Sequence, residues 1–311
     1  IHSANGAQVK KITGFPKVAD RGQGGMLDVA PDPDFAKNKT IYWSYSEPQD
    51  EEGVNLMAVA KGRLSANETA IEQVTVIFRA TPALKSNAHF GSRLLFDKSG
   101  NLFVSTGERS MPEGRRQAQL LEAGLGKIFH ITKDGKPAPG NPFLSNKNAI
   151  PQIYAYGVRN PQSLDFHPVT GDLWEAEFGP RGGDELNIIK AGKNYGWPTI
   201  TYGLEYSGRA IGEPIQKKEG MEQPVYYWDP VLSPSGMVFY VGNAIPQWKN
   251  NLFISGLSGH IARLVIVNNK VVGEERIMED KRERVRDIAY ANGMLYAVTD
   301  SGNMYRISRD R

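Results

Sequence analysis

The sequence predicts an all-β fold: a six-bladed β-propeller of four-stranded antiparallel blades. Glycine and proline are abundant, with 33 and 19 residues among 311, and sustained helical periodicity is scarce. One pattern recurs five times: an apolar strand, a turn containing Gly, Pro or Asp, and a second strand rich in large apolar residues. Short antiparallel strands repeated in this way are typical of propeller blades, and a two-sheet sandwich is the alternative.

The five predicted hairpins follow one another along the chain. Their strand pairs are 26–30 with 40–45, 93–97 with 101–105, 163–166 with 172–177, 236–240 with 251–255, and 286–290 with 294–299. Further short strands are predicted at 57–62, 75–79, 126–132, 261–268 and 303–307. Residues 1–14 are interpreted as the outer strands of a first blade that is incomplete at the N-terminus. Five hairpins and this fragment give six blades in one domain spanning 1–311.

The composition excludes several classes of protein. A net charge of +3 without a run of Lys or Arg gives no indication of a nucleic-acid partner. No apolar stretch approaches the roughly 20 residues that span a bilayer, so no membrane span is expected. Cysteine is absent, which excludes disulfides and thiolate metal sites. Residues 1–3 do not resemble a signal peptide, so any such segment is expected to be removed or to lie outside this chain.

Polar side chains gather at one end of the predicted hairpins. In a propeller, the residues just before the first strand of a hairpin and just after its second strand lie on the same rim. The ligand-capable residues at these positions are Gln23, His89, Glu108, Arg109, Arg159, Asn160, Gly179, Pro180, Leu257, Ser258, Arg284 and Arg286. The opposite rim has plain turns at 97–100, 167–171 and 291–293. We therefore expect the functional site at one channel mouth.

Three arginines at this rim favour an anionic ligand. Arg159, Arg284 and Arg286 can each bind a carboxylate through two parallel hydrogen bonds. Arg284 and Arg286 alternate along the chain, so both can face one side of a strand. The alternative is a surface salt bridge with Glu283 or Asp287.

The segment 179–185 is rich in glycine and in oxygen donors. Carbonyls around Gly179 and Pro180, together with the carboxylates of Asp184 and Glu185, suit a hard cation such as calcium. Zinc is disfavoured, because there is no Cys and no pair of His at zinc spacing. The alternative is a tight loop carrying two solvated acids.

One histidine lies where a general base is expected. His89 is at the functional rim, whereas His130, His167 and His260 are interpreted as structural. An imidazole with an ordinary pKa of about 6.5 can accept a proton near neutral pH. His89 is therefore the candidate catalytic base.

Several motifs resemble those of one known family and occur in the same order. They are 22–25 (GQGG) with 33–35 (PDF), 89–94 (HFGSRL), 157–162 (GVRNPQ), 179–187 (GPRGGDELN), 194–198 (NYGWP) and 284–287 (RVRD). Over essentially its whole length the chain resembles the soluble PQQ-dependent aldose sugar dehydrogenases, relatives of soluble quinoprotein glucose dehydrogenase. The resemblance implies a six-bladed, periplasmic or secreted propeller that oxidises aldoses to lactones with PQQ and calcium.

The resemblance also implies roles for individual residues. His89 corresponds to the base that takes the proton of the sugar's anomeric hydroxyl group. The residues implied around the quinone and the substrate are Gln23, Arg159 and Asn160, with Arg159 also assigned to catalysis. Arg284 and Arg286 are implied to bind the carboxylates of the cofactor.

Four residues are implied as calcium ligands. The carbonyls of Gly179 and Pro180 correspond to those that hold the calcium touching the cofactor. Glu185 and the Tyr195 carbonyl resemble a further calcium site, and Tyr206 resembles a cofactor contact.

One position departs from the family pattern. Where the family has a lysine for the cofactor in a Leu-Lys motif, this chain has Leu257-Ser258-Gly259. The change removes a positive charge that faces an anionic cofactor, so we expect PQQ to bind about tenfold to a hundredfold more weakly. The alternative is that His260 or another nearby cation fills the role.

The sequence leaves three functions to compare. The first is a PQQ- and calcium-dependent aldose dehydrogenase, a monomer or homodimer that passes electrons to an external acceptor. The second is a calcium-dependent propeller lactonase, which needs no quinone. The third is a non-enzymatic propeller that binds a glycan or a protein. The arginines favour the first, because a lactonase has little use for three clustered cations.

Overall fold

The structure, a computed structural model, describes residues 10–309. The chain divides into two compact units, residues 1–160 and residues 161–311. Each unit is built from antiparallel sheets whose strands are consecutive in sequence, so the all-β prediction is confirmed. That residues 1–311 form a single propeller domain stays a prediction.

The first unit contains two four-stranded sheets. One comprises β1 (Met26–Pro31), β2 (Thr40–Pro48), β3 (Asn55–Leu64) and β4 (Ile71–Arg79). The other comprises β5 (Gly91–Phe96), β6 (Leu102–Thr106), β7 (Lys127–Ile131) and β8 (Ile153–Tyr156). The connections include two short helices, α1 (Phe35–Asn38) and α2 (Pro112–Gln117).

The second unit contains three sheets. The first comprises β9 (Pro161–Phe166), β10 (Leu173–Glu177), β11 (Asp184–Ile189) and β12 (Tyr226–Trp228). The second comprises β13 (Pro234–Phe239), β14 (Leu252–Gly256), β15 (His260–Val267) and β16 (Lys270–Ile277). The third has three strands, β17 (Val285–Ala291), β18 (Met294–Thr299) and β19 (Met304–Ile307). Short 3₁₀ turns lie at Pro246–Trp248 and Glu279–Lys281.

Four of the inner strands are buried along their whole length. Every residue of β6, β7, β10 and β14 is buried, and their apolar side chains fill the cores. In the first unit the core includes Leu102 and Phe129, and in the second it includes Trp174 and Leu252. Burial of one such side chain contributes about 1.5–3 kcal/mol. Short apolar runs between turn signals therefore become strands covered on both faces.

An aspartate on the first strand of a sheet ties neighbouring sheets together in each unit. In the first unit, Asp28 on β1 accepts a hydrogen bond from the Leu94 amide of β5 at 2.8 Å. In the second unit, Asp165 on β9 accepts one from the Phe239 amide of β13, also at 2.8 Å. Burial raises the pKa of Asp165 to about 6. These contacts fix the first sheet of each unit against the second sheet of the same unit.

The prediction of six blades is wrong. Residues 10–309 form five sheets of the blade type, four with four strands and one with three. The sixth blade depends on residues 1–14, of which residues 1–9 lie outside the described residues. Thr13 forms an isolated bridge to Ala70, next to the edge strand β4. The described part of this segment, residues 10–14, thus joins an existing sheet and begins no new one.

The prediction that residues 1–14 form an incomplete first blade is also wrong, because residues 10–14 begin no sheet of their own. The first observed sheet has all four strands, β1 to β4, and in the described part of the chain the three-stranded sheet is the last, β17 to β19. The ten hairpin strands predicted from sequence correspond to observed strands, and most of their ends agree to within about two residues. The sequence analysis missed β8, β11, β12 and β16, which carry several polar residues.

Candidate functional site

His89 precedes β5, and its side chain is buried against an acid. Its Nδ1 atom lies 2.5 Å from Oε1 of Glu108, and the two side chains are only 8% and 1% exposed. A carboxylate accepts hydrogen bonds and donates none, so Nδ1 carries the proton of the neutral ring. The lone pair is then on Nε2, which is the atom that a general base uses.

Burial lowers the pKa of His89 below its ordinary value of 6.5, because a charged ring loses hydration in a dry environment. The hydrogen bond to Glu108 acts in the opposite direction, and the positive charges of Arg159 and Arg115 lower the pKa further. The ring is therefore neutral at pH 7 and able to accept a proton.

Three other residues predicted from sequence contact the His89 segment. The Gln23 Oε1 atom accepts a hydrogen bond from the His89 amide at 2.8 Å. The Asn160 Oδ1 atom accepts one from the amide two residues after His89, at 3.0 Å. The Arg159 carbonyl accepts one from the Glu108 amide at 2.9 Å. The structure thus brings Gln23 and Asn160 to the His89 segment and Arg159 to its partner Glu108. All of these residues lie in the first unit.

Glu108 was not predicted as the partner of His89. The two residues are 19 positions apart and carry no spacing signal, because strand pairing of β5 with β6 creates the contact. Gly107 allows this approach, since a side chain there would collide with the His89 carbonyl oxygen. The available signal was position: Glu108 directly follows the second strand of a hairpin, on the rim assigned to His89.

In the second unit, Asp184 fastens the loop that begins at Gly179. One oxygen of its fully buried carboxylate accepts a hydrogen bond from the Gly179 amide at 2.8 Å, and the other accepts one from the Ser233 amide at 2.6 Å. Asp184 is therefore not a solvated charge, and both its oxygens already have partners. Gly179 is required at this turn, because a side chain there would collide with the Gly183 carbonyl.

Three carboxylates and an amide share one face of β10 and β11. Glu175 pairs with Asn187 and Glu177 pairs with Glu185 across the two antiparallel strands, so all four side chains lie on the same face. Burial and the neighbouring Glu177 raise the pKa of Glu175 and of Glu185 well above 4.5. The face therefore cannot carry three negative charges at neutral pH without a compensating cation or proton.

This carboxylate face, defined by Glu175, Glu177, Glu185 and Asn187, suits calcium in its donor chemistry. Two of its buried oxygens, Glu175 Oε1 and Asn187 Oδ1, have no hydrogen-bond partner among the described residues. Calcium prefers carboxylate and amide oxygens such as these. Within residues 10–309, however, no three His, Cys, Asp or Glu side chains are already arranged to hold a metal ion. Backbone carbonyls would have to complete such a site.

Arg284 and Arg286 converge on one carboxylate. Arg284 Nε lies 3.0 Å from an Asp300 oxygen, and Arg286 binds both Asp300 oxygens at 2.7 Å. The partner is Asp300 instead of Glu283 or Asp287, the partners considered from sequence. The two guanidinium groups are about half exposed and face the same side, as the alternation predicts.

Ser258 is exposed beside an open cavity of about 1070 Å³ in the second unit. Gly259, Glu279, Asp280 and Arg282 also line this cavity. The Ser258 hydroxyl lies 3.3 Å from Nδ1 of His260. Burial lowers the pKa of His260 below 6.5, so His260 is neutral near pH 7 and does not replace the missing lysine charge. Among the residues that line this cavity, Arg282 is the one that carries a positive charge.

The remaining predicted residues of the second unit lie in loops. Leu257 donates its backbone N–H to the Ser233 carbonyl at 2.9 Å. Tyr195 is buried, and its hydroxyl group donates to the Ile188 carbonyl at 2.6 Å. Tyr206 is 71% exposed. Pro180 is buried next to Gly179.

In the described part of the chain no helix is long and apolar enough to cross a membrane.

Comparison with known proteins places these observations in one family. The family model described as glucose/sorbosone dehydrogenase matches residues 1–306. Aldose sugar dehydrogenase YliI of Escherichia coli (strain K12) is 42% identical over 304 residues, which is 96% of this chain and 80% of that protein.

Solved structures give the same result. The soluble aldose sugar dehydrogenase of E. coli in its apo form is 40% identical, with a TM-score of 0.91 over 96% of this chain and 86% of that one. The PQQ-bound aldose sugar dehydrogenase of Streptomyces coelicolor is 27% identical, with a TM-score of 0.74 over 94% of this chain and 82% of that one. The resemblance inferred from the motifs is confirmed, and this chain belongs to the glucose/sorbosone dehydrogenase family.

Proposed function

We propose that this protein is a PQQ-dependent aldose dehydrogenase that oxidises the anomeric carbon of an aldose to a lactone. The observation that carries the proposal is the His89–Glu108 pair, a neutral imidazole whose Nε2 atom can act as a base. Family membership supports a sugar substrate, and the PQQ-bound relative supports the cofactor.

His89 acts as the general base. Its Nε2 atom takes the proton of the anomeric hydroxyl group as hydride leaves the adjacent carbon. The Glu108 carboxylate at Nδ1 stabilises the imidazolium that forms and holds the ring in the required tautomer. A positioned base of this kind contributes about 10²–10⁴-fold to the rate. Gln23, Arg159 and Asn160 position the reacting groups.

The arginines suit the carboxylates of PQQ. Arg284 and Arg286 already bind one carboxylate, Asp300, so their geometry is compatible with an exchange for a cofactor carboxylate. Tyr206, Leu257 and Ser258 are further cofactor contacts in this proposal. When bound, PQQ supplies the acceptor for the hydride, since no protein side chain can accept it.

We also propose that the protein binds two calcium ions. Gly179 and Pro180 would offer carbonyl oxygens to a calcium ion at the cofactor, and Glu185 and Tyr195 would hold a second ion. Calcium at the first position would polarise the quinone and orient it. The two oxygens of the carboxylate face that have no hydrogen-bond partner within residues 10–309 support the second position.

The test is a reconstitution assay. Apo-protein is mixed with PQQ, calcium and glucose, and reduction of a redox dye is followed, with omission of each component as the control. Dye reduction that requires all three supports the proposal. Lactone hydrolysis without PQQ would favour a lactonase instead, and glycan binding without turnover would favour a binding protein.

The proposal also covers location and assembly. We place the protein in the periplasm or outside the cell, as a monomer or homodimer that passes electrons to an external acceptor. Cell fractionation measures the first property and light scattering measures the second. Protein found wholly in the cytoplasm would contradict this location.

A further inference from the structure

Arg109 is a buried cation that binds the segment carrying His89. It is 1% exposed. Its guanidinium group donates to the carbonyls of Ser86 at 2.5 Å and Ala88 at 3.0 Å, and to the carbonyl and side-chain oxygens of Asn55 at 3.1 and 2.6 Å. Its backbone N–H donates to the His89 carbonyl at 3.2 Å, and its own carbonyl accepts from the Ser86 hydroxyl.

Stacking adds a further contact to the same segment. The guanidinium carbon lies 4.0 Å from the centre of the Phe90 ring. Four of the five residues in 86–90 therefore touch Arg109. His89 itself adopts a left-handed backbone conformation, with φ of 49°, which costs a non-glycine residue roughly 1–2 kcal/mol. Such a conformation persists when the surrounding contacts determine it, and here Arg109 provides many of them.

A contribution to folding stability does not by itself explain why an arginine is buried at this position. Burial lowers the pKa of Arg109 well below its ordinary value, to about 10, because the cation loses hydration, and the negative charge of Glu108 opposes this change. Replacing both members of a buried ion pair with apolar residues is often neutral or stabilising, so a buried charge is weak evidence of a role in stability. The planar guanidinium offers five donors in fixed directions, so it determines the positions of several carbonyls together.

We propose that Arg109 is a positioning residue, which fixes residues 86–90 so that the His89 ring stays paired with Glu108 and its Nε2 atom faces the substrate. The catalytic consequence rests on the proposed function, whereas the positioning itself is a property of the first unit. Both Arg109 and the residues it binds lie in that unit.

The test compares wild type with Arg109→Met and Arg109→Lys by imidazole NMR on the full chain. The sequence has five histidines, so the His89 signals can be assigned with a His89→Gln variant. In wild type we expect a hydrogen-bonded Nδ1 proton and a titration midpoint below pH 6.5. Both Arg109 variants are expected to lose this resonance and to shift the midpoint towards 6.5. Lysine keeps the charge but lacks the planar fork, so it does not restore the signals.

Lys127 provides the matched control. It is another buried basic side chain of the first unit, and its Nζ atom donates to the carbonyls of Gln117, Ala118 and Leu125. Lys127→Met removes a carbonyl-bound basic group at a different place. It is expected to lower the melting temperature and to leave the His89 resonance and titration unchanged.

Activity gives the second readout. With PQQ, calcium and glucose, both Arg109 variants are expected to lower kcat by about tenfold to a hundredfold, with a smaller change in KM. An unchanged His89 resonance and midpoint in a folded Arg109 variant would overturn the inference, even if the melting temperature falls. If Arg109→Met does not fold, Arg109→Lys decides by the same signals. If wild type reduces no dye, the proposed function fails, but the NMR signals still decide on Arg109.

Discussion

Glu108 and Asp184 are both fully buried acids near a strand end, but they have different roles. Glu108 lies two residues after β6, and Asp184 is the first residue of β11. Both oxygens of Asp184 accept backbone amides, so this residue fastens a loop. Glu108 contacts the His89 ring through Oε1, while its Oε2 atom has no partner among the described residues. The partners of a buried acid therefore decide whether it is structural or functional.

Replacing His89 tests the assignment of the base. His89→Gln is expected to retain PQQ binding and to lower turnover by about 10²–10⁴-fold, because the amide cannot accept the proton. Dye reduction and a PQQ titration measure the two properties separately. His130→Gln is the control, since His130 binds Asp97 and Asn141 elsewhere in the first unit. Near-normal turnover in His89→Gln would show that another group is the base.

The pH dependence of activity follows from the state of His89. A base must be unprotonated, so kcat/KM is expected to fall as pH falls through the pKa of His89. Burial lowers this pKa, so the acidic limb should lie below pH 6.5. Glu108→Gln removes the negative charge that favours the protonated ring, so its limb should move to still lower pH. A limb above 6.5 in wild type would contradict the environment described for His89.

At the scale of elements, the turn between β14 and β15 differs from the family pattern. It carries Ser258 where a lysine is expected, and the adjacent His260 is neutral near pH 7. Arg282 lines the same cavity as Ser258 and can supply a positive charge. The turn alone therefore does not determine how strongly the second unit attracts an anion.

A PQQ titration separates these possibilities. A charge-assisted hydrogen bond contributes about 1.5–3 kcal/mol, and each 1.4 kcal/mol is a factor of ten. Ser258→Lys is therefore expected to tighten PQQ binding about tenfold to a hundredfold, whereas Arg286→Ala should weaken it. If Arg282 already supplies the positive charge of the missing lysine, Ser258→Lys should leave the affinity for PQQ unchanged and Arg282→Ala should lower it. Normal binding in all three variants would contradict an anionic cofactor at these residues.

At the scale of the whole molecule, five sheets supply the framework of residues 10–309. The carboxylate face shows how a sheet can place charge inside a unit. Register pairs Glu177 with Glu185 across β10 and β11, next to Glu175. Such a face lowers the stability of the molecule unless protons or a cation neutralise it.

Calcium is expected to raise the melting temperature of the whole protein. Binding to the folded state alone stabilises it by about 2.7 kcal/mol when free ion exceeds the dissociation constant a hundredfold. The pKa values of Glu175 and Glu185 are raised in the folded state, so ionising these side chains costs stability. Without calcium, the free energy of unfolding should therefore fall as pH rises above 4.5. The effect of EDTA should therefore be larger at pH 8 than at pH 6.

Two variants serve as controls for the calcium measurement. Glu185→Gln is expected to reduce the calcium-dependent shift strongly. Glu113→Gln, on an exposed position of α2, should leave it unchanged. A melting temperature that is insensitive to EDTA at both pH values would contradict the calcium proposal.

The sequence by itself determined the class of fold, most of the hairpins and the family. Turn residues and apolar runs are local signals, so strands such as β5, β6, β17 and β18 could be predicted within a few residues. The motifs also predicted that Gln23, Arg159 and Asn160 belong with His89. The number of sheets was not predictable, because residues 1–14 have a strand-like composition but no partner that the sequence reveals.

Only the tertiary structure decided which charges are paired. Glu108 reaches His89 because β5 pairs with β6, and Arg286 reaches Asp300 because β17 pairs with β18 just before it. Asp184 and Glu185, considered as loop or solvent-exposed acids, became part of strand β11. These contacts join residues far apart in sequence, and their energy depends on burial and register. Neither quantity can be read from local residue patterns, which is why the sequence could not supply them.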